Sequence, residues 1–253
     1  MRLFALSDIH VDYPDNARWV EHLSGADYRD DVLILAGDLT EDSRLLAWCL
    51  GSFAAKFRQV LFVPGNHDLW VRRDQADMCS FQKFEQVMRV AAESGVSTSP
   101  YSYENTLVVP LFSWYDYSFG TPDSDMQMLW MDFRACRWPD GFGPPQVTEH
   151  FLKMNPDSLP HPAKRVVTFS HFLPRIDLIP SFVPPAMRNL DPVLGSSAIE
   201  RQLRALGADL HVYGHSHINR RVTLDGVTYV NNAFGYPQET MISARRLIAL
   251  DDG

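Results

Sequence analysis

The chain has 253 residues, of which 45% are hydrophobic and 21% are charged, and its net charge is −8. A chain of this length can form one well-packed domain, and it contains no apolar run of the ~18 to 20 residues that a membrane-spanning helix requires. The acidic balance without a long basic run argues against a broad surface for duplex nucleic acid, and three cysteines without CxxC spacing argue against a disulfide framework or a thiolate metal site.

Five short apolar runs, rich in β-branched and aromatic residues, predict buried strands. In chain order they are Leu3 to Leu6, Val32 to Ala36, Val60 to Val63, Val166 to Phe169 and Leu210 to Tyr213. Near-continuous apolar runs are typical of parallel strands that are buried on both faces. Two segments between them, Ser43 to Phe57 and Phe81 to Glu93, have the apolar spacing of helices that cover a sheet.

The segment from about 110 to 162 has a different composition. It is rich in proline, glycine and aromatic residues but has no clear periodicity, and its aromatic residues include Trp114, Tyr115, Tyr117, Trp130, Phe133, Trp138 and Phe142. We interpret it as an insertion within a single domain that spans residues 1–253. Its aromatic residues either pack a satellite core under a long loop or form a lid or substrate wall, and both alternatives remain open.

The last part of the chain predicts short strands at Val222 to Leu224, Val227 to Val230 and Leu247 to Leu250. The first two of these are joined by an Asp225-Gly226 hairpin turn. Together with the earlier strands and helices, these elements fit two packed sheets that are flanked by helices. The chain begins with too short an apolar stretch for a signal peptide, so we expect a soluble, cytoplasmic protein.

Polar motifs coincide with the ends of the five apolar runs. They are Asp8-Ile9-His10, Gly37-Asp38, Gly65-Asn66-His67-Asp68, a lone His171 and Gly214-His215-Ser216-His217. Ligands bind beyond the carboxyl ends of parallel strands, so these loops are expected to converge there. Residues two apart in an extended segment share a face, so an Asp-x-His or His-x-His pair can point both donors to one side. Oxygen and imidazole donors suit Mn, Fe, Zn or Mg.

The five motifs in this order resemble the signature of the calcineurin-like metallophosphoesterase family: Asp-x-His, Gly-Asp, Gly-Asn-His-Asp/Glu, His and Gly-His-x-His. The match spans residues 8 to 217. The resemblance implies an α/β fold, a four-layer α-β-β-α sandwich of two mixed sheets with its metal site at the strand ends. It also implies a metal-dependent hydrolase of phosphoester bonds.

The resemblance further implies two divalent metal ions. One would be held by Asp8, His10, Asp38 and His217, and the other by Asp38, Asn66, His171 and His215, so that Asp38 bridges the two. His67 would contact the phosphate and the leaving oxygen, with Asp68 or another nearby carboxylate orienting it.

A charge balance supports this assignment independently. Two divalent cations against Asp8, Asp38 and one bridging hydroxide leave a site of net charge about +1, which attracts a phosphate. Cations roughly 3.5 to 4 Å apart stabilise both the attacking and the leaving oxygen, and the bridging hydroxide would be the nucleophile. His67 would donate the proton that the leaving group needs.

Several residues near the motifs have two interpretations. Glu41 and Asp42 either hydrogen-bond the catalytic histidine or supply charge at a helix N-terminus. Arg72 and Arg175 either contact phosphate oxygens or lie solvated on the surface. The stretch after Val230 resembles the family's closing segment, and in it the residues predicted to line the pocket are Asn232, Phe234 and Tyr236.

Histidines outside the motifs are interpreted as surface or core residues. These are His22, His150, His161 and His211.

The leading hypothesis is a phosphomonoesterase or phosphodiesterase that acts on a small phosphorylated or nucleotide substrate. A nuclease of the same family is the alternative, and the acidic balance argues against it. A catalytically silent scaffold on this fold should have lost ligands, whereas all seven candidate ligands and His67 are present. The sequence leaves the substrate, the metal identity and the oligomeric state open.

Overall fold

The computed structural model describes residues 1–74, 77–159, 162–239 and 241–250, and it places two β-sheets face to face between helices. The described strands, in chain order, are β1 (Leu3–Leu6), β2 (Val32–Ala36), β3 (Gln59–Val63), β4 (Tyr101–Tyr103), β5 (Thr106–Pro110), β6 (Arg165–Phe169), β7 (Leu210–Tyr213), β8 (Arg220–Leu224), β9 (Val227–Asn231) and β10 (Ile248–Ala249). The described α-helices are α1 (Pro14–His22), α2 (Ser43–Ala54), α3 (Ser80–Glu93), α4 (Ser124–Leu129), α5 (Asp132–Ala135), α6 (Pro144–Leu152) and α7 (Ser197–Ala205).

Both sheets are mixed. The first has the order β10-β1-β2-β3, with β1, β2 and β3 parallel and β10 antiparallel at its edge. The second has the order β4-β5-β6-β7-β9-β8, with four central parallel strands and antiparallel strands at both edges. The α/β fold with two mixed sheets and flanking helices is therefore confirmed. None of the helices in the described ranges is long and apolar enough to cross a membrane.

Alternating side chains of β1 show how the layers are built. Leu3 and Ala5 belong to the core that joins the two sheets. Phe4 and Leu6 belong to a second core under the helices, together with Phe53 of α2. All four strand residues are buried, which explains the near-continuous apolar run in the sequence.

All five predicted strands and the predicted hairpin are present, and the five strands are divided between the two sheets. The prediction did not include the strands β4 and β5 or the helices α1, α4, α5, α6 and α7. Helix α1 buries only Asn16 and Val20 among its nine residues, so it has too little apolar periodicity to be recognised from the sequence. Strand β4 is three residues long, and β5 ends in the proline that begins the irregular aromatic segment.

The aromatic segment contains α4, α5 and α6. Trp114 and Tyr115 are buried against Phe172, with ring centroids 5.0 and 5.7 Å away. These two rings therefore pack core, which was one of the two alternatives for this segment.

The histidines outside the motifs lie on the surface or in the core, as far as the structure describes them. His211 is buried between the hydroxyls of Thr168 and Ser170, whereas His22 and His150 are exposed. His161 lies outside the described residues.

Asp42 caps helix α2. Its carboxylate accepts hydrogen bonds from the backbone N–H groups of Arg44 at 2.8 Å and Leu45 at 3.0 Å. This is the role of an N-cap side chain, which satisfies N–H groups that have no partner within the helix. Of the two interpretations of Asp42, the structure supports the helix terminus.

Replacing Asp42 by Ala should lower the free energy of unfolding by about 1 kcal/mol, because the first turn of α2 loses its acceptor. The measurement is urea unfolding followed by circular dichroism, with Asp42→Asn as the matched control because it keeps an acceptor oxygen. Equal losses in the two variants would show that the cap is not the source of the stability.

Candidate metal centre

The five polar motifs converge at the strand ends. Three groups of side chains have ligand atoms within 4.8 Å of one another: Asp8, His10 and His217; His10, Asp38 and His67; and Asp38, His171 and His215. Asn66 joins the last group, since its Oδ1 lies 3.1 Å from His171 Nε2. The convergence predicted from the sequence is therefore present, and it draws on both sheets.

Asp38 lies at the centre of these groups. Its Oδ1 is 3.5 Å from His171 Nε2, and its Oδ2 is 3.9 Å from the Nε2 atoms of both His10 and His67. On either side of Asp38, ring nitrogens approach in pairs: His10 and His217 are 3.3 Å apart, and His171 and His215 are 3.1 Å apart. One carboxylate thus contacts both halves of the cluster.

The backbone at the cluster adopts an uncommon conformation. Eight non-glycine residues in the described part of the chain have positive φ, and five of them are candidate ligands: Asp8, His10, Asp38, His215 and His217. Left-handed φ is sparsely populated for non-glycine residues and is concentrated at functional sites. The paired ligands therefore converge because the chain turns tightly after each strand, and the prediction that they share one face of an extended segment is wrong.

Glycines next to the ligands provide the room for this packing. A Cβ atom on Gly37 would lie 2.5 Å from His171 Nδ1, and one on Gly65 would lie 2.7 Å from the backbone nitrogen of Asp38. Real Cβ atoms do not approach other atoms this closely, so any larger residue at either position would displace a candidate ligand. Close approach of the backbone to a ligand is one of the uses of glycine in proteins.

The outer nitrogens of two imidazoles are held by backbone carbonyls. His171 Nδ1 lies 2.9 Å from the carbonyl oxygen of Ala36, and His215 Nε2 lies 3.2 Å from that of Val193. Such a contact fixes the tautomer, because the outer nitrogen must carry the proton. His171 Nε2 and His215 Nδ1 are then left with lone pairs that face each other and the cluster.

His217 is oriented by a carboxylate that the sequence analysis did not identify. Its Nδ1 lies 2.6 Å from Glu239, and its Nε2 lies 3.3 Å from Asp8. Burial alone lowers the pKa of His217, but Asp8 and Glu239 together raise it to about 10. Glu239 belongs to no motif, and only the fold brings it to the imidazole.

The donor set suits a divalent metal. Burial lowers the pKa values of His10, His171 and His215, so these imidazoles are neutral and can each offer a lone pair. Burial and the neighbouring charge of Asp8 raise the pKa of Asp38 well above its usual range, and a bound cation would relieve this crowding of negative charge. Imidazole nitrogen, carboxylate oxygen and amide oxygen are the ligands of a catalytic metal.

Asp68 is buried and holds the loops that carry the ligands. One oxygen accepts from the backbone N–H groups of Leu39 at 2.9 Å and Thr40 at 3.0 Å, and the other accepts from those of Asp38 and Gly65, both at 2.8 Å. Burial raises the pKa of Asp68 to about 6 against the opposing effect of these donors. These hydrogen bonds are with the backbone around Asp38 and Gly65, so the prediction that Asp68 orients His67 receives no support from them.

His67 has an aromatic neighbour that the sequence analysis missed. Its ring stacks on Trp70 with centroids 3.7 Å apart, and its backbone N–H donates to Asp38 Oδ1 at 2.9 Å. The side chain is 21% exposed, which makes it accessible to a substrate. His67 therefore has a restrained ring at the surface of the cluster.

Two clefts meet at His67 and Tyr236. The first, of about 340 Å³, has charged walls formed by Asp12, Glu41, Arg72 and Arg73. The second, of about 310 Å³, has apolar walls that include Trp130, Ile179, Val183, Leu194, Ile218 and Ile242. Trp130 comes from the aromatic segment, which therefore also contributes a wall beside the cluster.

Two of the predicted substrate contacts lie at these clefts. Arg72 lines the charged cleft and donates two hydrogen bonds of 3.0 Å to Glu41, so Glu41 pairs with an arginine. The Tyr236 ring lies 4.5 Å from that of His10 and borders both clefts.

Three other predicted substrate contacts are engaged elsewhere. Arg175 donates to Asp177 and Asp225, and these contacts lie away from the cluster. Asn232 is buried and donates to the backbone carbonyls of Ala5 and Arg246. Phe234 is fully buried, and its ring centroid lies 4.6 Å from that of Trp19 under α1. The prediction that Phe234 lines the pocket is therefore wrong, because the chain after β9 enters the core between the first sheet and its helices.

Comparison with known families decides the classification. The family model for calcineurin-like phosphoesterases matches residues 1–219. The chain belongs to the calcineurin-like phosphoesterase family. Its resemblance to this family, stated from the five motifs, is confirmed.

Two comparisons extend this result. The phosphoesterase is 27% identical over 267 residues to the [acyl-carrier-protein] phosphodiesterase PptH of Mycobacterium tuberculosis, covering 94% of this chain and 78% of the relative. It also superimposes on the crystal structure of phosphopantetheinyl hydrolase (PptH) from the same organism with a TM-score of 0.76 and 24% identity, covering 100% of this chain and 96% of the other. The second comparison establishes the shared fold.

The phosphoesterase is therefore a hydrolase of phosphoric esters, as the motifs predicted. A catalytically silent scaffold should have lost ligands, and the intact donor set argues against that alternative. The family uses divalent metals, and the His and Asp groups at the strand ends could hold them.

Replacing Asp68 by Asn should destabilise the metal-free phosphoesterase by about 2 kcal/mol, because an amide nitrogen would face two of the four N–H donors and leave them unsatisfied. Urea unfolding in the presence of a chelator measures the loss without any contribution from metal. Asp30→Asn removes the same charge from an exposed position and serves as the control. A loss no greater than that of the control would exclude Asp68 as the anchor of these loops.

Proposed function

We propose that this phosphoesterase hydrolyses phosphodiesters and that its substrate is an acyl carrier protein bearing a phosphopantetheinyl arm. The similarity to a relative named as an acyl-carrier-protein phosphodiesterase supports the substrate class. The observation that carries the proposal is the position of the metal cluster between a charged cleft and an apolar cleft.

A cluster between two clefts suits a diester better than a monoester. The phosphorus of a diester carries two organic groups, and both must leave the metal site in different directions. His67 and Tyr236 border both clefts, so a phosphate at the cluster would extend one group into each. A monoester would occupy only one of them.

The apolar cleft matches the chemistry of the arm. Pantetheine is a narrow chain of methylene and methyl groups interrupted by amides, and the cleft is apolar along Ile179, Val183 and Ile242. A cavity of about 310 Å³ is at the lower end of the range for small ligands. The charged cleft would face the carrier protein, where Arg72 and Arg73 are partly exposed. In this proposal the small phosphorylated substrate that the sequence predicted is replaced by the phosphopantetheinyl arm of a carrier protein.

The proposal includes two divalent ions, of which Mn, Fe, Zn and Mg are candidates. Asp8, His10 and His217 would hold one, Asn66, His171 and His215 would hold the other, and Asp38 would be shared. When bound, they would supply the positive charge that polarises the phosphate and lowers the pKa of a coordinated water.

His67 would protonate the leaving oxygen. It is the histidine of the cluster that borders both clefts, and the Trp70 ring restrains its plane. An alkoxide leaving group has a high pKa, so its departure requires a proton from a positioned donor. Asp38 accepts the backbone N–H of His67 and thereby links this donor to the ligand at the centre of the cluster.

We further infer a cytoplasmic location. The three cysteines, Cys49, Cys79 and Cys136, are unpaired thiols, which is the usual state in a reducing compartment.

His67→Ala should slow phosphodiester hydrolysis by about 10²- to 10⁴-fold, because the proton donor is lost. Its metal content should stay at the wild-type value, since His67 is a proton donor and not a ligand in this proposal. Asp38→Asn should lose both activity and metal. The measurements are hydrolysis of bis(p-nitrophenyl) phosphate and elemental analysis of the same samples. Normal turnover in His67→Ala would show that His67 is not the proton donor.

Ile242→Asp should lower the preference for an arm-bearing substrate by about 10-fold. The carboxylate removes apolar contact with the arm, and a loss of roughly 1.4 kcal/mol of binding free energy corresponds to that factor. The measured quantity is the ratio of kcat/KM for phosphopantetheinylated carrier protein to that for bis(p-nitrophenyl) phosphate. Met241→Asp is the matched control, since Met241 is adjacent and 93% exposed. An unchanged ratio in Ile242→Asp would place the arm elsewhere, and a wild-type enzyme inactive on the carrier protein would reject the substrate.

A further inference from the structure

Asp132 is a buried carboxylate that contacts the cluster from the aromatic segment. It begins α5, is 3% exposed, and bonds to side chains from three parts of the chain. Its Oδ1 accepts from Asn66 Nδ2 at 2.9 Å and Trp70 Nε1 at 2.7 Å, and its Oδ2 accepts from Trp130 Nε1 at 2.9 Å. Tyr115 is a further hydrogen-bond partner. These partners are an amide, two indoles and a phenol, so the carboxyl group is held by neutral donors.

The contact with Asn66 decides which atom of its amide faces the cluster. An asparagine side chain carries one oxygen acceptor and one NH₂ donor on opposite sides. A carboxylate can only accept, so Asp132 requires the NH₂ group on its own side. The Oδ1 atom of Asn66 is then directed toward His171 Nε2, 3.1 Å away, where a metal ligand is needed. With the amide reversed, an NH₂ group would face the cation.

The contact with Trp70 fixes the ring on which His67 stacks. Trp70 is stacked on His67 at 3.7 Å, and its indole N–H is fixed by the same Oδ1 atom that holds Asn66. The third partner, Trp130, is a wall of the apolar cleft and lies 5.9 Å from the His215 ring. One side chain therefore contacts a candidate ligand, the platform of the proton donor and the wall of the cleft.

We infer that Asp132 is a positioning residue, which directs the oxygen of Asn66 to the metal and holds the indole under His67. The inference rests on the proposed two-metal site. It assigns a function to the aromatic segment, in which the sequence shows no ligand motif.

Asp132→Asn is the first test. The new amide has one oxygen where the carboxylate has two, so either Asn66 and Trp70 on one side or Trp130 on the other must face an NH₂ group. We expect the metal content to fall from about two ions per chain to about one, and the kcat for bis(p-nitrophenyl) phosphate to fall by 10- to 100-fold, the usual loss when a partner of a metal ligand is removed. The melting temperature of the metal-free protein reports whether the variant is folded.

A second substitution separates orientation from general damage. In the double variant Asn66→Asp/Asp132→Asn, residue 66 becomes a carboxylate, which presents an oxygen to the metal in either orientation and accepts from the amide at residue 132. The total charge equals that of the wild type. We expect the double variant to recover the second metal ion, whereas Asn66→Asp alone places two carboxylates against each other and should lose it. A double variant with no more metal than Asp132→Asn would overturn the inference.

Asn155→Asp is the matched control. It is the same kind of isosteric exchange at a buried position of the same segment, and its side chain bonds to Phe112 and Gln202, away from the cluster. This variant should lose stability and keep two ions. Loss of an ion in this control would attribute the effect to the segment as a whole and overturn the inference.

A wild-type protein with one ion would reject the two-metal proposal, whereas two ions in both the wild type and Asp132→Asn would reject only the role of Asp132.

Discussion

Electrostatic crowding around Asp38 is the constraint on which the rest of the structure depends. Asp38 and Asp8 are both buried, and imidazoles from four separate loops face them. Water is largely excluded, so the charges must be balanced by partners or by a cation. Asp68 accepts three backbone N–H groups of the Asp38 loop and that of Gly65, and Gly65 leaves the space that the Asp38 carboxylate occupies. The sheets and helices serve to keep these groups together.

Assembly of the site opposes the stability of the chain. Five candidate ligands have positive φ, and a left-handed non-glycine residue costs roughly 1 to 3 kcal/mol. Burying carboxylates near one another adds to this cost, as the raised pKa of Asp38 indicates. Both costs are compensated by the two apolar cores, which pack β1, β2 and β3 on both faces. Apolar packing of the sheets thus provides the free energy that holds a strained, charged cluster in place.

The sequence identified the candidate ligands because each lies within or beside a motif at a strand end, a position that local pattern can identify. It did not predict the residues that orient them. Glu239 lies 22 residues from His217, and Asp132 lies 66 from Asn66, so neither partner has a signal in its own surroundings. Phe234 was misplaced for a related reason: its neighbours match a family stretch, but whether a side chain points to a cleft or a core depends on the packing of α1.

Both sheets contribute to each of the two groups that would hold an ion. Asp8 and His10 follow β1 in the first sheet, whereas His217 follows β7 in the second, and Asp38 of the first sheet meets His171 of the second. An ion bound to such a group would cross-link the layers, because it would join segments more than one hundred residues apart in the chain. Removal of the ion would allow the two sheets to move relative to each other. The ion would therefore stiffen the whole sandwich in addition to its effect on the bond that is cleaved.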